Sequence, residues 1–222
     1  MPTPIPSLRL EHTFWSRGLA HIAGVDEAGR GAWAGPVVAG AVILPRVTRL
    51  QRWWLDESLR ALKYARDSKL LSPTQRASLY EPIRASALAT AIGYATNEEI
   101  DALGIVAATR VAMQRALAAL AIPPDALLVD ALQLDVTVPQ RAVIHGDQLS
   151  LSIACASILA KVTRDRMMCE LDAQVPGYDF AHHKGYGTAA HRAALLKLGV
   201  SPVHRISFAP VGNLVTQRQE NR

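Results

Sequence analysis

GVDEAGRGAWAGPVVAGAVILP, residues 24–45, decides how the chain is read. It sets two acids, Asp26 and Glu27, side by side between a short apolar lead and a second apolar run. Residues 20–28 (AHIAGVDEA) and 36–45 (PVVAGAVILP) read as consecutive strands, because small and β-branched residues run between glycine and proline stops. The few residues between them predict a tight hairpin. Adjacent carboxylates in such a strand are costly to bury, so the reason for them lies elsewhere in the chain.

Outward from this hairpin, residues 46–72 are mixed in character and predict irregular structure, with Trp53 and Trp54 as packing residues. Ser72 and Pro73 form an N-cap and first turn, opening a helix toward Ala87. Residues 88–96 (LATAIGYAT) alternate as a strand. Thr96 and Glu99 form a capping box for a short helix ending near Gly104. Residues 105–120 are helical by periodicity, and Pro123 and Pro124 stop them. ALLVD (126–130) and RAVIHGD (141–147) read as buried strands ending in Asp130 and Asp147. A long helix is expected from Leu149 to about Ala173, then a polar loop, YDFAHHKGYG (178–187). Thr188 caps a last helix running to Gly199. Strands alternating with helices indicate an α/β class. Both extreme termini, MPTPIPS and TQRQENR, are too polar or proline-rich to pack and are expected to fray.

With 222 residues and 50% hydrophobic content, the chain can bury one substantial core. No run reaches the roughly 18 apolar residues of a membrane span, and the start lacks the layout of a secretory signal. A cytoplasmic protein without a membrane anchor is expected. Cys155 and Cys169 lie in one expected helix, about 21 Å apart at 1.5 Å per residue, too far to pair. The net charge of +5 permits a polyanionic partner without requiring one.

Three strand readings end at or contain an aspartate: Asp26, Asp130 and Asp147. If those strands are neighbours, the carboxylates converge, with Glu27 beside them. Four acids a few ångströms apart raise one another's pKa, and two Mg²⁺ ions would compensate with four positive charges. Against this stands the ordinary role of a strand-end aspartate as turn former or helix cap. Spacing alone leaves the two readings balanced. Gly29, Gly31 and Ala34 match a dinucleotide fingerprint, but Pro36 opens a strand where that fingerprint needs a helix. His182, His183 and His191 are expected to be surface or substrate-side residues, not metal ligands.

GVDEAGRG, AGPVVAGAV, DSKLLS, EIDALGI, LLVDA, GDQLSLSIACASILAKVTRD and HHKGYGT occur in order over nearly the whole chain. Through these blocks the sequence resembles ribonuclease HII, the type 2 ribonuclease H. The resemblance implies a ribonuclease H-like fold: a mixed central sheet flanked by helices, with a small helical C-terminal extension. It implies a catalytic domain over residues 19–213, after a partly flexible extension (1–18) and before a flexible tail (214–222). It also implies an endonuclease that cuts the RNA strand of RNA/DNA hybrids and nicks DNA duplexes 5′ to embedded ribonucleotides, leaving 3′-hydroxyl and 5′-phosphate ends. The family's four metal-binding, catalytic acids correspond to Asp26, Glu27, Asp130 and Asp147, holding two Mg²⁺ or Mn²⁺ ions. One ion would activate water and the other would stabilise the leaving 3′-oxygen.

By the same resemblance, the backbone of Gly29, Arg30 and Gly31 contacts the ribose 2′-hydroxyl, while Tyr186 packs on the neighbouring sugar. Ser68 and Lys69 are candidates for backbone contacts. On the long helix, Ser150, Ser157, Lys161 and Arg164 share one stripe, from which Lys161 and Arg164 could meet phosphates; a solvated helix face explains the stripe equally well. Two departures stand out: Ala131 where family members often have glycine, and His145 where they commonly have lysine. The expected partners are RNA/DNA hybrids and ribonucleotide-containing DNA duplexes, bound by a monomer. The C-terminus shows no aromatic docking motif for a sliding clamp, so no clamp partner is expected. The residues before the first strand leave no room for the N-terminal domain of the related HIII type. Rival readings are another ribonuclease H-like nuclease, or a nucleic-acid binding module whose acids are structural.

Overall fold

A computed structural model of the protein describes residues 5–47 and 50–220. The expected fraying of residues 1–4 and 221–222 lies outside them. Its centre is a mixed sheet in the order β3-β2-β1-β4-β5. The strands are β1 (Ile22–Ala28), β2 (Val37–Ile43), β3 (Ala89–Ala95), β4 (Ala126–Asp130) and β5 (Gln140–Val143). β1 pairs antiparallel with β2 and parallel with β4, β2 pairs antiparallel with β3, and β4 runs parallel to β5. This is the mixed, helix-flanked sheet that the sequence predicts.

Helices α1 (Arg9–Trp15), α2 (Pro73–Ser86), α3 (Asn97–Leu103) and α4 (Ile105–Ala118) are followed by α5 (Gly146–Leu149) and α6 (Leu151–Gln174). α6 packs on β1 and β2 over one face, where Ile22, Val42 and Leu128 meet Leu151, Cys155 and Leu159. α4 covers the other face, where Ala23, Val25, Ala41 and Val129 meet Ala108, Ala112 and Met113. Two glycines let α6 approach closely. A β-carbon on Gly24 would strike the Ser152 backbone, and one on Gly40 would lie 2.5 Å from the Ala156 carbonyl oxygen. Strands buried on both faces need no polar alternation, which explains the continuous apolar run of β2.

The expected helix caps are present. Ser72 pairs with Gln75 and Thr96 with Glu99 in complete capping boxes, and Thr188 accepts a bond from the His191 amide. Three local expectations are corrected. The β1–β2 connection runs through residues 29–36 and is longer than a tight hairpin. β5 ends at Val143, so Asp147 sits on α5, after His145 turns the chain in the left-handed region at φ 54°. The long helix starts at Leu151 because Ser150 is extended, caps the helix through the Ile153 amide, and bridges to Ser7.

The N-terminal stretch is tied into this corner. Leu8, Phe14 and Trp15 are buried, and Glu11 accepts from the Ser150 hydroxyl (2.7 Å) and the Ser152 amide (2.9 Å). At the other end, α7 (Phe180–His183), α8 (Ala189–Leu198) and α9 (Ala209–Glu220) enclose a separate small core. That core contains Ala34, Met168, Tyr178, Phe180, Leu195 and Val211. Residues 214–220, expected as a flexible tail, continue α9. Among the described residues no helix is long and apolar enough to cross a membrane. Cys155 is buried, Cys169 is exposed, and both are free thiols.

Candidate active site

β1 and β4 are parallel neighbours in which Val25 faces Val129. One residue further along each strand stand Asp26 and Asp130, on the face that α6 covers. Glu27 alternates toward the other face. At the strand ends, however, one carboxylate oxygen from each of Asp26, Glu27 and Asp130 lies within 4.8 Å of the others. Asp26 accepts from the Glu27 amide (2.7 Å) and Asp130 from the Gly146 amide (2.7 Å), so backbone bonds aim both side chains.

Asp147, on α5, lies outside that 4.8 Å group but within its field. Burial, followed by the charges of Glu27, Asp130 and Asp147, holds the Asp26 carboxyl well above the usual carboxylate range. Burial also raises Glu27, and Arg30, donating at 3.2 Å, opposes it. Asp147 is pushed up to about 6 by burial, by the charges of Asp67 and Asp130, and by a hydrogen bond with Asp67. Repulsion of this kind calls for a counter-charge. Glu27 Oε2 is buried without a hydrogen-bond partner, and every candidate ligand is a hard oxygen. The donor set therefore fits a divalent cation such as Mg²⁺ or Mn²⁺.

Asp67 was not among the residues singled out, although it begins the DSK block. It is buried, accepts from the Lys69 amide (2.9 Å) and from Gln148 (3.3 Å), and faces Asp147. Lys69 is exposed. Burial works against its charge, but Asp67, Asp26, Asp147 and Asp130 outweigh burial and raise its pKa. Ser68, by contrast, is buried, and its hydroxyl accepts from Ser157 at 2.8 Å. The two departures from the family pattern both sit at left-handed backbone positions, Ala131 at φ 49° and His145 at φ 54°. A β-carbon in that region costs about 1 kcal/mol, which glycine avoids.

The loop after β1 carries Gly29, Arg30 and Gly31. Gly29 is buried at φ 98°, and a β-carbon there would strike the Arg164 guanidinium. Gly31 is exposed, with nothing within 4 Å of where its β-carbon would stand. The expectation that Arg164 meets phosphate is corrected. It is fully buried, and its three nitrogens donate to the carbonyls of Pro36 (2.9 Å), Lys184 (3.0 Å) and Ala34 (3.2 Å). Arg205, also fully buried, donates to Gly35 (2.9 Å) and Arg30 (3.0 Å). The Trp33 amide donates to the Gly185 carbonyl at 2.8 Å. Arg164 therefore ties the glycine loop to the loop that bears Tyr186, while Arg205 ties the glycine loop to the segment before α9.

Tyr186 is half-buried, with Lys161 Nζ 5.5 Å and Arg164 Cζ 5.4 Å from its ring centroid. Lys161 also pairs with Asp165 at 2.6 Å and lines a groove of about 790 Å³ with Arg76, Arg166, His182 and Lys184. On the predicted stripe, Ser150 and Ser157 are buried along with Arg164, so only Lys161 keeps partial exposure. Of the three histidines expected at the surface or on the substrate side, His182 is exposed, whereas His183 and His191 are buried.

A family model described as Ribonuclease HII matches residues 23–211. The chain is 50% identical over 216 residues to Ribonuclease HII of Dehalococcoides mccartyi, covering 96% of this chain and 98% of that protein. It is 51% identical over 203 residues to Ribonuclease HII of Thermus thermophilus, covering 91% and 92%. Its fold is similar to that of the ribonuclease H2 crystal structure from Pyrococcus horikoshii. The TM-score is 0.71 at 24% identity, covering 90% of this chain and 100% of that one. The converging acids and these matches lead to one conclusion: the chain belongs to the ribonuclease HII family and is an endonuclease acting on RNA/DNA hybrids.

Proposed function

We propose that Asp26, Glu27, Asp130 and Asp147 hold two divalent cations, Mg²⁺ or Mn²⁺, and that the enzyme also nicks DNA duplexes 5′ to embedded ribonucleotides. The observation that carries this reading is the meeting of three carboxylates within 4.8 Å, with Glu27 Oε2 buried and unpartnered. When bound, such cations supply Lewis-acid activation of water and neutralise charge at the leaving oxygen.

The residues of the chain do the rest. Asp26 and Asp130, aimed by backbone amides, present their free oxygens to the same point. Lys69 brings an exposed ammonium to the rim of the cluster, where a phosphate would sit. The backbone of Gly29, Arg30 and Gly31 reads the 2′-hydroxyl, the group that separates RNA from DNA locally. Gly31 supports this: no protein atom explains the missing side chain, and the open space leaves room for a sugar. Tyr186 packs on the neighbouring sugar. Lys161 contributes charge along the groove that the flanking duplex follows. Ser68 acts only through the turn that carries Lys69, because its own side chain faces inward. The working form is a cytoplasmic monomer, in keeping with its two free thiols.

The test is a labelled DNA duplex bearing one ribonucleotide, with an all-DNA duplex beside it. Nicking on the 5′ side of the ribonucleotide, with 3′-hydroxyl and 5′-phosphate ends, is expected with Mg²⁺ or Mn²⁺ and not with chelator. Cleavage that persists in chelator, or that ignores the ribonucleotide, would overturn the reading.

A further inference from the structure

Away from the acids the molecule buries a second set of titratable side chains. His183, His191 and His204 are 7%, 0% and 1% exposed. They surround Phe180, with the rings of His183 and His191 stacked at 4.5 Å. Buried histidines usually serve only packing, but the hydrogen bonds here run in one direction. The Ser201 amide donates to His204 Nδ1 (3.0 Å), which places the His204 proton on Nε2. That nitrogen faces His191 Nε2 at 3.0 Å, so His191 accepts there and carries its own proton on Nδ1. His191 Nδ1 then donates to the Tyr186 carbonyl at 3.0 Å. His183 adopts the Nε2–H form, accepting from the Gly185 amide (3.1 Å) and donating to the Tyr178 carbonyl (2.7 Å). These tautomers follow from the network, because a backbone amide can only donate.

The two ends of this relay touch the two loops assigned to ribose reading. At one end, residues 203–205 hold the glycine loop: the Gly35 amide donates to the Val203 carbonyl (2.9 Å) and Arg205 to the Arg30 carbonyl. At the other end, the Tyr186 carbonyl accepts from both His191 and the Thr188 amide (2.8 Å), which occupies both lone pairs. The loop needs such support, since Lys184 (φ 53°) and Gly185 (φ 77°) are consecutive left-handed residues just before the tyrosine. Burial pushes His191 and His204 down to about 4, which keeps both rings in the neutral form the network requires.

We propose that His191, backed by His204 and Ser201, is a positioning residue for ribonucleotide selection: its Nδ1–H fixes the Tyr186 carbonyl and so sets where the Tyr186 ring meets the substrate sugar. This rests on the role of Tyr186 given under the proposed function.

Two isosteres separate positioning from packing. His191→Asn keeps a donor at the Nδ1 place and loses the partner of His204. His191→Gln keeps an acceptor at the Nε2 place for His204 and loses the donor to Tyr186. Losing that bond should lower kcat/KM on a single-ribonucleotide duplex roughly tenfold more than on a long RNA/DNA hybrid in His191→Gln, with most of the ratio retained in His191→Asn. Equal ratios in the two variants, following only their loss of thermal stability, would overturn the proposal. Tyr186→Ala runs in parallel. If it harms both substrates equally, the tyrosine role fails and the relay's purpose with it. If it is selective and His191→Gln is not, the relay alone fails. Long-range ¹H–¹⁵N spectra of the wild-type rings give a measurement that needs no variant to fold. Nδ1–H at His191 with Nε2–H at His204 is expected, and Nε2–H at His191 would refute the arrangement.

Discussion

The acid cluster and the loops beside it are both buried and both rich in ionisable residues, but they are stabilised in opposite ways. At the cluster the charges share a sign, raise one another's pKa and leave Glu27 Oε2 unpartnered. At the loops, Arg164 directs all three nitrogens and Arg205 two of its three at backbone carbonyls, with the neutral pair His191 and His204 beside them. The cluster lacks a full counter-charge within the protein, whereas the loops meet their buried cations with carbonyls of the chain itself, Arg205 Nη2 alone being left without a partner among the described buried groups of these loops. On the proposed function, the first region carries the chemistry and the second the geometry that selects a substrate.

Asp26→Asn breaks the first region most severely. With Asp26 a cation ligand, as proposed, cleavage should fall by roughly three orders of magnitude, the scale of losing a principal electrostatic group. Binding of a ribonucleotide-containing duplex should change only modestly. Because the amide relieves repulsion, the metal-free variant should melt no lower than the wild type in calorimetry. A variant that cleaves at near-normal rates would remove Asp26 from the chemistry.

Arg164→Met breaks the second region. It strands the carbonyls of Pro36, Ala34 and Lys184 without donors, at an expected cost of about 3 kcal/mol in denaturant unfolding at roughly 1 kcal/mol per lost bond. Arg164→Lys should recover little, since one ammonium cannot reach three diverging carbonyls. Full stability in Arg164→Met would mean that the loops stand without this arginine.

The two regions also titrate with opposite sign. His191 and His204 fall from the ordinary 6.5 to about 4. The unfolded chain therefore takes up more protons as pH drops through that window, and each ring withdraws up to roughly 3 kcal/mol of stability by pH 4. Asp147 rises from 3.8 to about 6, so the folded state binds the extra proton and stability falls as pH increases across that interval. In metal-free wild type the slopes offset each other. Asp147→Asn removes the opposing slope, so its melting temperature should climb more steeply than the wild type's from pH 4 to 6.5. Parallel curves would mean that the acids are not strained.

Local features were the most legible in the sequence. Ser72, Thr96 and Thr188 announce helices through their own side chains, and ALLVD reads as a strand from composition. Asp26 and Asp130 were legible for the same reason, since each lies on a strand that the sequence identifies. Asp147 lies on α5 and not on the strand because His145 turns the chain in the left-handed region, and the later start of the long helix depends on Glu11 and Ser7, which are far away in sequence. Arg164 looked like a surface residue because helical periodicity tells which residues share a stripe and not which way the stripe faces. The carbonyls that draw it inward come from residues 34, 36 and 184. The sequence draws attention to His182, His183 and His191 but not to His204, and only the fold brings the rings of His183, His191 and His204 together.

The smallest effect concerns the rim, where neither region is closed. Lys69 is exposed beside the acids, while Lys161 is largely buried between Asp165 and the Tyr186 ring. A lysine that meets phosphate releases a counter-ion, so its removal lowers the slope of log affinity against log salt by about one. Lys69→Ala should show that change, with affinity only a few-fold weaker at moderate salt. Lys161→Ala should show less, because its ammonium already has a carboxylate partner that competes with phosphate. Titrations of a catalytically silent Asp26→Asn background at several salt concentrations make the comparison. A full unit lost at Lys161 and none at Lys69 would place the phosphate contact in the groove beside α6 and take Lys69 out of the interface.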